Sequence, residues 1–387
     1  MDILLIEPYY TGSHQAWVDG YVRHSRHSVR TLLLPGRFWK WRMHGGAVTL
    51  ARQFRESCYR PDLILATDML DLTTFLALTR DLTHDIPAAI YFHENQLTYP
   101  LRRGEKRDLH YGFINFASAL LADAVFFNSQ YHLDSFYNEL PRLLKHFPDY
   151  NELHTVSVLR ARSEVLPLGL DLKRHDAYRP QFPGPSVAEI HEEYAPTIVW
   201  NHRWEYDKNP QAFFNVIYAL AGMGLPFKLA LLGESFSIKP EEFLDARERL
   251  ADRIVQFGYL EDFPAYSSWL WRGDVCVSTA HHEFFGAATA EAIYCGCYPI
   301  LPNRLVYPDL VPAELRAECL YGDFDGLLER LRQFLVGQRP APQASQALHE
   351  HVARFDWTQM AAVYDQRLEE MVKTRMNRKY PKDTKQA

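Results

Sequence analysis

No apolar run in this 387-residue chain approaches the roughly 20 consecutive residues needed to cross a bilayer. The N-terminus, MDILLIEPYY, carries an acid at position 2 and only four apolar residues in a row. That is too short for the core of a secretion signal and reads as a first β-strand. Cysteine is scarce. Cys58, Cys276, Cys295, Cys297 and Cys319 are odd in number and irregularly spaced, which excludes a disulfide framework and a paired C-x-x-C zinc site. No H-E-x-x-H occurs, since HENQL and HEEYA both lack the second histidine. Excess charge is small too: a formal net charge of -6 and a pI of about 6.3 give no global positive field, while a local basic face stays open. The chain has no internal repeat or low-complexity tract. It is expected to be a soluble cytoplasmic protein with no membrane partner, long enough for two domains.

What is present is a rhythm. Short β-branched or aromatic runs (DILLIEP, VRTLLLP, PDLILATD, PAAIYFHE, DAVFFNS, SEVLPLG) alternate with longer mixed segments of helical length. A polar, proline-rich break follows, and the rhythm restarts with PTIVWNHRW, FKLALLGES, IVQFGYL, DVCVSTA and CYPILPN. Apolar runs of this kind belong to parallel strands covered by helices on both faces. The reading is an α/β chain of two doubly wound, Rossmann-like domains, residues 1–172 and 196–343. A linker at 173–195 joins them, and terminal helices with a basic tail occupy 344–387.

Open α/β sheets bind ligands beyond the carboxyl ends of their strands. Glycine and polar residues concentrate at those points here: YYTGSH, HENQ, NHRWEYDKNP and TAHHEFFG. Glu283 and Glu291 flank the start of a helix expected near Phe285 or Gly286. Glu283 belongs to the loop and Glu291 lies about five residues into the helix, roughly 7–8 Å further along its axis. They cannot clamp one atom. They suit a long ligand touched at two places, with an anionic middle on the helix N-terminus and Gly286 allowing close approach. An exposed loop acid plus a helix acid is the plainer alternative. Arg203 and Lys208 follow a buried-looking strand and could stabilise a departing diphosphate. The bland account pairs Arg203 with Glu205 or Asp207. For a histidine after a strand, such as His93 or His14, the bland account is a bond to a neighbouring carbonyl. His281 and His282 read as loop packing, and Asp323 or Asp325 in GDFDG as a helix cap.

Arg203 and Lys208, followed by Glu283-x7-Glu291 on a twin Rossmann layout, resemble the donor site of retaining GT-B glycosyltransferases of the family-4 type. More narrowly, YFHENQLTYP, NHRWEYDKNP, HHEFFG, EAIYCGCYPILPNRLVYP and FWKWR resemble the tRNA-queuosine α-mannosyltransferases, over nearly the whole chain. The resemblance implies a GT-B fold with two lobes facing across a cleft. It also implies transfer of mannose from GDP-mannose to queuosine at position 34 of a tRNA-Asp-type anticodon, without a metal or other cofactor. Arg203 and Lys208 would hold the diphosphate, Glu283 the hexose hydroxyls, with Phe285 and Gly286 helping through their backbone, and Glu291 the ribose. His93 would lie near the donor sugar and the acceptor hydroxyl, Gly12, Ser13 and His14 would form the glycine loop, and Tyr259 would flank the base. For the tRNA partner, Arg37, Trp39, Lys40, Trp41 and Arg42, with Arg102 and Arg103, combine charge and aromatic rings suited to phosphates and stacked bases. Hexosyl transfer to a small molecule, lipid or glycan, and a non-catalytic binding module, are the competing readings.

Overall fold

The computed structural model describes residues 1–101, 104–180, 195–233, 241–338 and 340–379. These form two compact units. One holds residues 1–170 and the chain's end from Trp357; the other runs from Asp171 to Asp356. Among the described residues no helix is long and apolar enough to cross a membrane.

Unit 1 is built on β1 (Asp2–Tyr10), β2 (Ser28–Pro35), β3 (Leu63–Thr67), β4 (Ala88–Phe92), β5 (Ala124–Phe127) and β6 (Ser163–Val165). They form one parallel sheet in the order β2-β1-β3-β4-β5-β6. Strands β3, β4 and β5 are buried at every residue, which is why they appear in the sequence as unbroken apolar runs. Unit 2 repeats the plan with β7 (Thr197–Trp200), β8 (Lys228–Leu231), β9 (Ile254–Phe257), β10 (Val275–Val277), β11 (Tyr298–Pro302) and β12 (Leu320–Tyr321). Their order is β12-β11-β10-β7-β8-β9, again parallel. The α/β, doubly wound reading holds. Strand β12, two residues long, is too short to show any periodicity and was not foreseen.

Helix starts follow local chemistry. Asp71, Ser129, Asp262 and Asp323 each accept a backbone N–H from the first turn of the helix they open, worth about 1 kcal/mol apiece. Asp323 therefore does in GDFDG what its position suggested. Cys276, Cys295, Cys297 and Cys319 are buried free thiols, and Cys297 donates to the Leu270 carbonyl.

The segment after residue 340 supplies both units. Helix Pro342–Ala353 packs in unit 2, where His349 Nδ1 donates to the Tyr294 carbonyl at 2.7 Å. Helix Trp357–Lys379 belongs to unit 1. The Trp357 N–H donates to the Leu170 carbonyl at 2.9 Å, and its ring is fully buried against Gly20 and Gly169. Two turns on, Tyr364 accepts from Trp17 Nε1 at 3.0 Å and donates to the Pro167 carbonyl at 2.9 Å. Buried Asp365 accepts from Tyr21, Ser25 and the Arg26 N–H. A Cβ at Gly20 would fall 1.9 Å from Trp357 Nε1. Gly20→Ala, although favoured by helix propensity, is therefore expected to destabilise the protein by about 1–3 kcal/mol through overpacking, read as a lower urea midpoint with unchanged slope.

Candidate functional site

In unit 2 the strand order reverses between β7 and β10, and the loops leaving these two strands carry the foreseen residues. After β7 the chain makes a short turn at Tyr206–Lys208. Asn209, in the left-handed region at φ 52°, then opens helix Pro210–Gly222 with Pro210 at its first position. The turn is tied to the loop after β10. Thr279 Oγ1 donates to the Lys208 and Asn209 carbonyls, both at 2.9 Å, and the His281 N–H donates to the Asp207 carbonyl at 2.7 Å.

That attachment puts Lys208 against Glu283, 75 positions away in sequence. Lys208 Nζ lies 3.1 Å from Glu283 Oε2, 3.2 Å from Asp207 Oδ2 and 2.9 Å from the His282 carbonyl, with only 7% of its side chain exposed. Burial by itself would raise the Glu283 pKa. The Lys208 charge, its hydrogen bond and nearby His202 outweigh it and hold the carboxyl down at about 2. Glu283 is thus an anion at every physiological pH. His202 and His282, buried beside the same cation, are pushed down to about 4 and stay neutral.

Glu291 is the fifth residue of helix Ala287–Tyr294, where its spacing placed it. Gly286 precedes that helix at φ +84°, and a Cβ there would meet Leu310 Cδ1 at 2.9 Å. Gly286 brings no side chain to cap the helix start, and among the described residues no side-chain bond to its first N–H groups is seen. Glu291 Oε2 accepts from the Tyr266 hydroxyl at 2.7 Å. Asn201 Nδ2 reaches both that hydroxyl at 3.2 Å and the Ala288 carbonyl at 2.7 Å. Burial holds the Glu291 carboxyl up at about 7, the Tyr266 bond notwithstanding. The two acids therefore differ: one is locked as an anion, the other titrates near neutrality.

The remaining unit 2 positions are less convergent. Arg203 is exposed in the loop after β7. Phe285 is 5% exposed and meets Phe355 edge-on at 5.1 Å, so its side chain is core and only its backbone borders the site. Tyr259 is 60% exposed after β9, two places from β7 in the sheet.

Unit 1 gathers a second cluster at the ends of β1, β3 and β4. Gly12, at φ +52°, and exposed Ser13 open helix Gly12–His24 without a side-chain cap. His14 Nδ1 donates to fully buried Glu7 at 2.9 Å, and its ring lies 4.3 Å from that of His93. Burial opposes a charge on His14, but Glu7, with Asp68 and Glu94, raises it to about 9. Burial and the His14 charge drive His93 well below its ordinary value. The His93 N–H donates to Asp68 Oδ1 at 2.8 Å, and Asn128 Nδ2 donates to the His93 carbonyl at 2.9 Å. His93 Nε2 is buried with no hydrogen-bond partner among the described residues, and burial pushes the Asp68 carboxyl upward. The result is an imidazolium beside a neutral imidazole. Glu7, His14 and His93 each offer a ligand atom, all within 4.8 Å of one another. With His14 protonated against Glu7 the set works as an ion pair, and a divalent cation would have to displace that proton first.

Of the basic and aromatic positions, Arg37, Lys40 and Trp41 are exposed. Trp39 turns inward onto Tyr111 at 5.0 Å, and Arg42 Nε donates to the Pro35 carbonyl at 3.0 Å. Arg102 and Arg103 lie outside the described residues.

The first half of the chain, residues 2–170, matches the tRNA-queuosine alpha-mannosyltransferase N-terminal family model. A Drosophila melanogaster tRNA-queuosine alpha-mannosyltransferase is 36% identical over 334 residues, 86% of each chain. This chain belongs to the tRNA-queuosine alpha-mannosyltransferase family. It is a glycosyltransferase. A Mycobacterium tuberculosis GDP-mannose-dependent phosphatidylinositol dimannoside mannosyltransferase is 23% identical over about half of each chain. Among solved structures, sucrose-phosphate synthase from Thermosynechococcus elongatus matches with TM-score 0.68 at 15% identity, covering 97% of this chain and 100% of that one. Anabaena HepE in complex with UDP matches with the same score, identity and coverage. The fold is GT-B.

Several residues of the transferase's two clusters escaped the sequence reading. Glu7 and Asp68 carried a usable signal: an acid within or ending an apolar strand run is almost never buried unpaired. Asn201 stood in the NHRWEYDKNP loop already singled out, but Tyr266 had no signal, because only the packing of helix Phe263–Arg272 brings its hydroxyl to Glu291.

Two stability tests follow from the charges. Lys208→Met leaves Glu283 and Asp207 without their cation and is expected to cost about 3–5 kcal/mol by urea denaturation. Adding Glu283→Gln should recover part of that loss. Glu291 keeps in the folded state a proton that the unfolded chain releases near 4.5, so its contribution falls as pH rises from about 4.5 to 7. Glu291→Gln should therefore stabilise the transferase by about 2 kcal/mol at pH 8, a value discounted for partial solvent contact, and by almost nothing at pH 4.5.

Proposed function

We propose that this transferase moves mannose from GDP-mannose onto queuosine at position 34 of a tRNA-Asp-type tRNA, with retention of anomeric configuration. The observation that carries the reading is the Lys208–Glu283 pair in unit 2, together with the helix start after Gly286 that no side chain caps. Without a donor, Lys208 is neutralised by Glu283 and Asp207. An incoming diphosphate offers Lys208 a stronger counter-ion and leaves Glu283 able to accept hydroxyl protons from the hexose. Arg203 joins Lys208 on the phosphates, and the N–H groups after Gly286 add the positive end of a helix dipole. Charge developing on the leaving diphosphate is met by groups already in place.

Glu291 suits the ribose, since a carboxylate that ionises near neutrality can accept two hydroxyl hydrogen bonds at little cost. Tyr259 is assigned to the nucleobase. In unit 1, His93 is assigned to the donor sugar and the acceptor hydroxyl, and Gly12, Ser13 and His14 to the phosphates. The acceptor attacks on the face that the phosphate leaves, the new glycosidic bond forms as the C1–O bond to phosphate breaks, and a phosphate oxygen takes the acceptor proton. No side-chain nucleophile is required. We further propose that transfer uses no metal, since Arg203, Lys208 and the helix start supply the positive charge a cation would bring. The Drosophila relative's acceptor and the mycobacterial relative's donor support the two halves of the reaction. A tRNA acceptor sets the reaction in the cytoplasm.

Purified protein incubated with GDP-mannose and a queuosine-containing tRNA is expected to release GDP and change the tRNA's mobility on a boronate gel. UDP sugars should do neither, and chelators should leave the rate unchanged. Lys208→Ala should slow transfer by about 100- to 1,000-fold. Turnover only with glycan or lipid acceptors would replace the tRNA reading, and turnover of no sugar nucleotide would leave a binding protein.

A further inference from the structure

We propose that Phe38 and Trp41 in unit 1 form a platform that stacks unpaired bases of an RNA loop. The proposal rests on tRNA being the acceptor and goes beyond it by naming how the single-stranded part is held. The first support is charge. In a chain of net charge -6, residues 20 to 55 contain no Asp or Glu and eight Lys or Arg; Arg26, Arg52 and Arg55 are paired to Glu369, Glu56 and Asp81, and Arg37, Lys40 and Arg42 gather at the entry to helix Trp39–Glu56. Phosphate is the partner such a stretch complements.

The second support is exposure. At the entry to helix Trp39–Glu56, Phe38 is 77% exposed and Trp41 63%. Two large rings held in water at one helix entry have no role in the core of unit 1. Phe38 also sits at φ 54°, a left-handed conformation that a bulky residue adopts at a cost. Its carbonyl starts the helix by accepting from the Trp41 and Arg42 N–H groups at 2.8 and 3.1 Å, so the backbone that aims the ring outward is fixed.

The third support is Gly45. A glycine inside a helix is unfavourable on propensity alone. A Cβ at this one would come 2.3 Å from the Trp41 ring. Gly45 therefore gives the indole a flat seat on the helix and holds it in one orientation, which lowers the entropy lost when a base stacks on it. Arg37 and Lys40 adjoin the two rings in sequence, both exposed and with no carboxylate partner among the described residues, and Lys40 Nζ stands 5.6 Å from the Trp39 ring centre. Single-stranded nucleic acid is bound by this combination of aromatic faces and adjacent cations.

The platform also has a direction. Trp39, on the same helix end, turns inward onto Tyr111 and packs with Tyr9, Met43, Met69 and Ile114. Tyr9 in turn meets the His14 ring edge-on at 6.0 Å. Packing inside unit 1 is therefore continuous from Trp39, through this cluster and Tyr9, to the His14–His93 pair.

The test is equilibrium binding of the full chain to a stem-loop RNA and to a fully paired duplex of equal length, at fixed salt. The native protein should prefer the stem-loop. Phe38→Ala with Trp41→Ala should weaken stem-loop binding by about 10-fold or more and leave duplex binding and Tm unchanged. Trp41→Phe should retain most of the affinity, and Trp41→Leu should not. Gly45→Ala should lose stem-loop affinity without lowering Tm, because the displaced ring is exposed. Unchanged stem-loop binding in the double variant overturns the proposal. So does a fall in molar mass by light scattering, which would make the patch an interface between copies. Failure of the native protein to bind either RNA would remove the tRNA reading itself, and the platform with it.

Discussion

The ammonium group of Lys208 is the point on which the organisation of unit 2 turns. It stands among Glu283, Asp207 and a backbone carbonyl with almost no solvent, and each of those oxygens would be costly to bury without it. The loops after β7 and β10 are thereby held in one relative position, reinforced by Thr279 bonding back to the turn that carries the lysine. A site that must receive a strongly charged ligand gains from this arrangement. The charges around Lys208 are already oriented by the protein itself.

The clusters in both units use burial to separate protonation states. In unit 2, Glu283 is kept ionised while Glu291 is brought to the edge of titration, because only the first has a cation against it. In unit 1, His14 takes the proton and His93 is denied one, because Glu7 stands beside the first and the resulting charge bears on the second. In both cases two buried residues of one type differ through the charges set beside them. The environment, more than the residue, sets the chemistry available.

Aromatic residues divide in a similar way. Trp17, Trp200 and Trp357 are wholly buried, and Trp357 fastens the last helix to unit 1 across two glycines that leave room for its ring. Trp39 and Trp41 stand two positions apart in one basic segment, yet one packs on Tyr111 and the other faces water. Two residues apart on a helix means different faces, so the same composition serves the core and the surface at once.

Much of the architecture was legible in the sequence. Unbroken apolar runs separated by helical lengths required buried parallel strands, and ligand-bearing loops had to follow their carboxyl ends. The eight-residue interval from Glu283 to Glu291 placed one acid before a helix and the other inside it, as local geometry dictates. The rest depended on long-range contact. The partnership of Lys208 with Glu283, the Tyr266 hydroxyl on Glu291, the proton on His14 and the return of Trp357 to unit 1 all join residues that no local pattern relates, except the near pair Glu7 and His14. Periodicity and capping are encoded over a few neighbours and can be read directly. Which charges neutralise one another, and which stay ready for a ligand, is decided only when the packed chain removes water from between them.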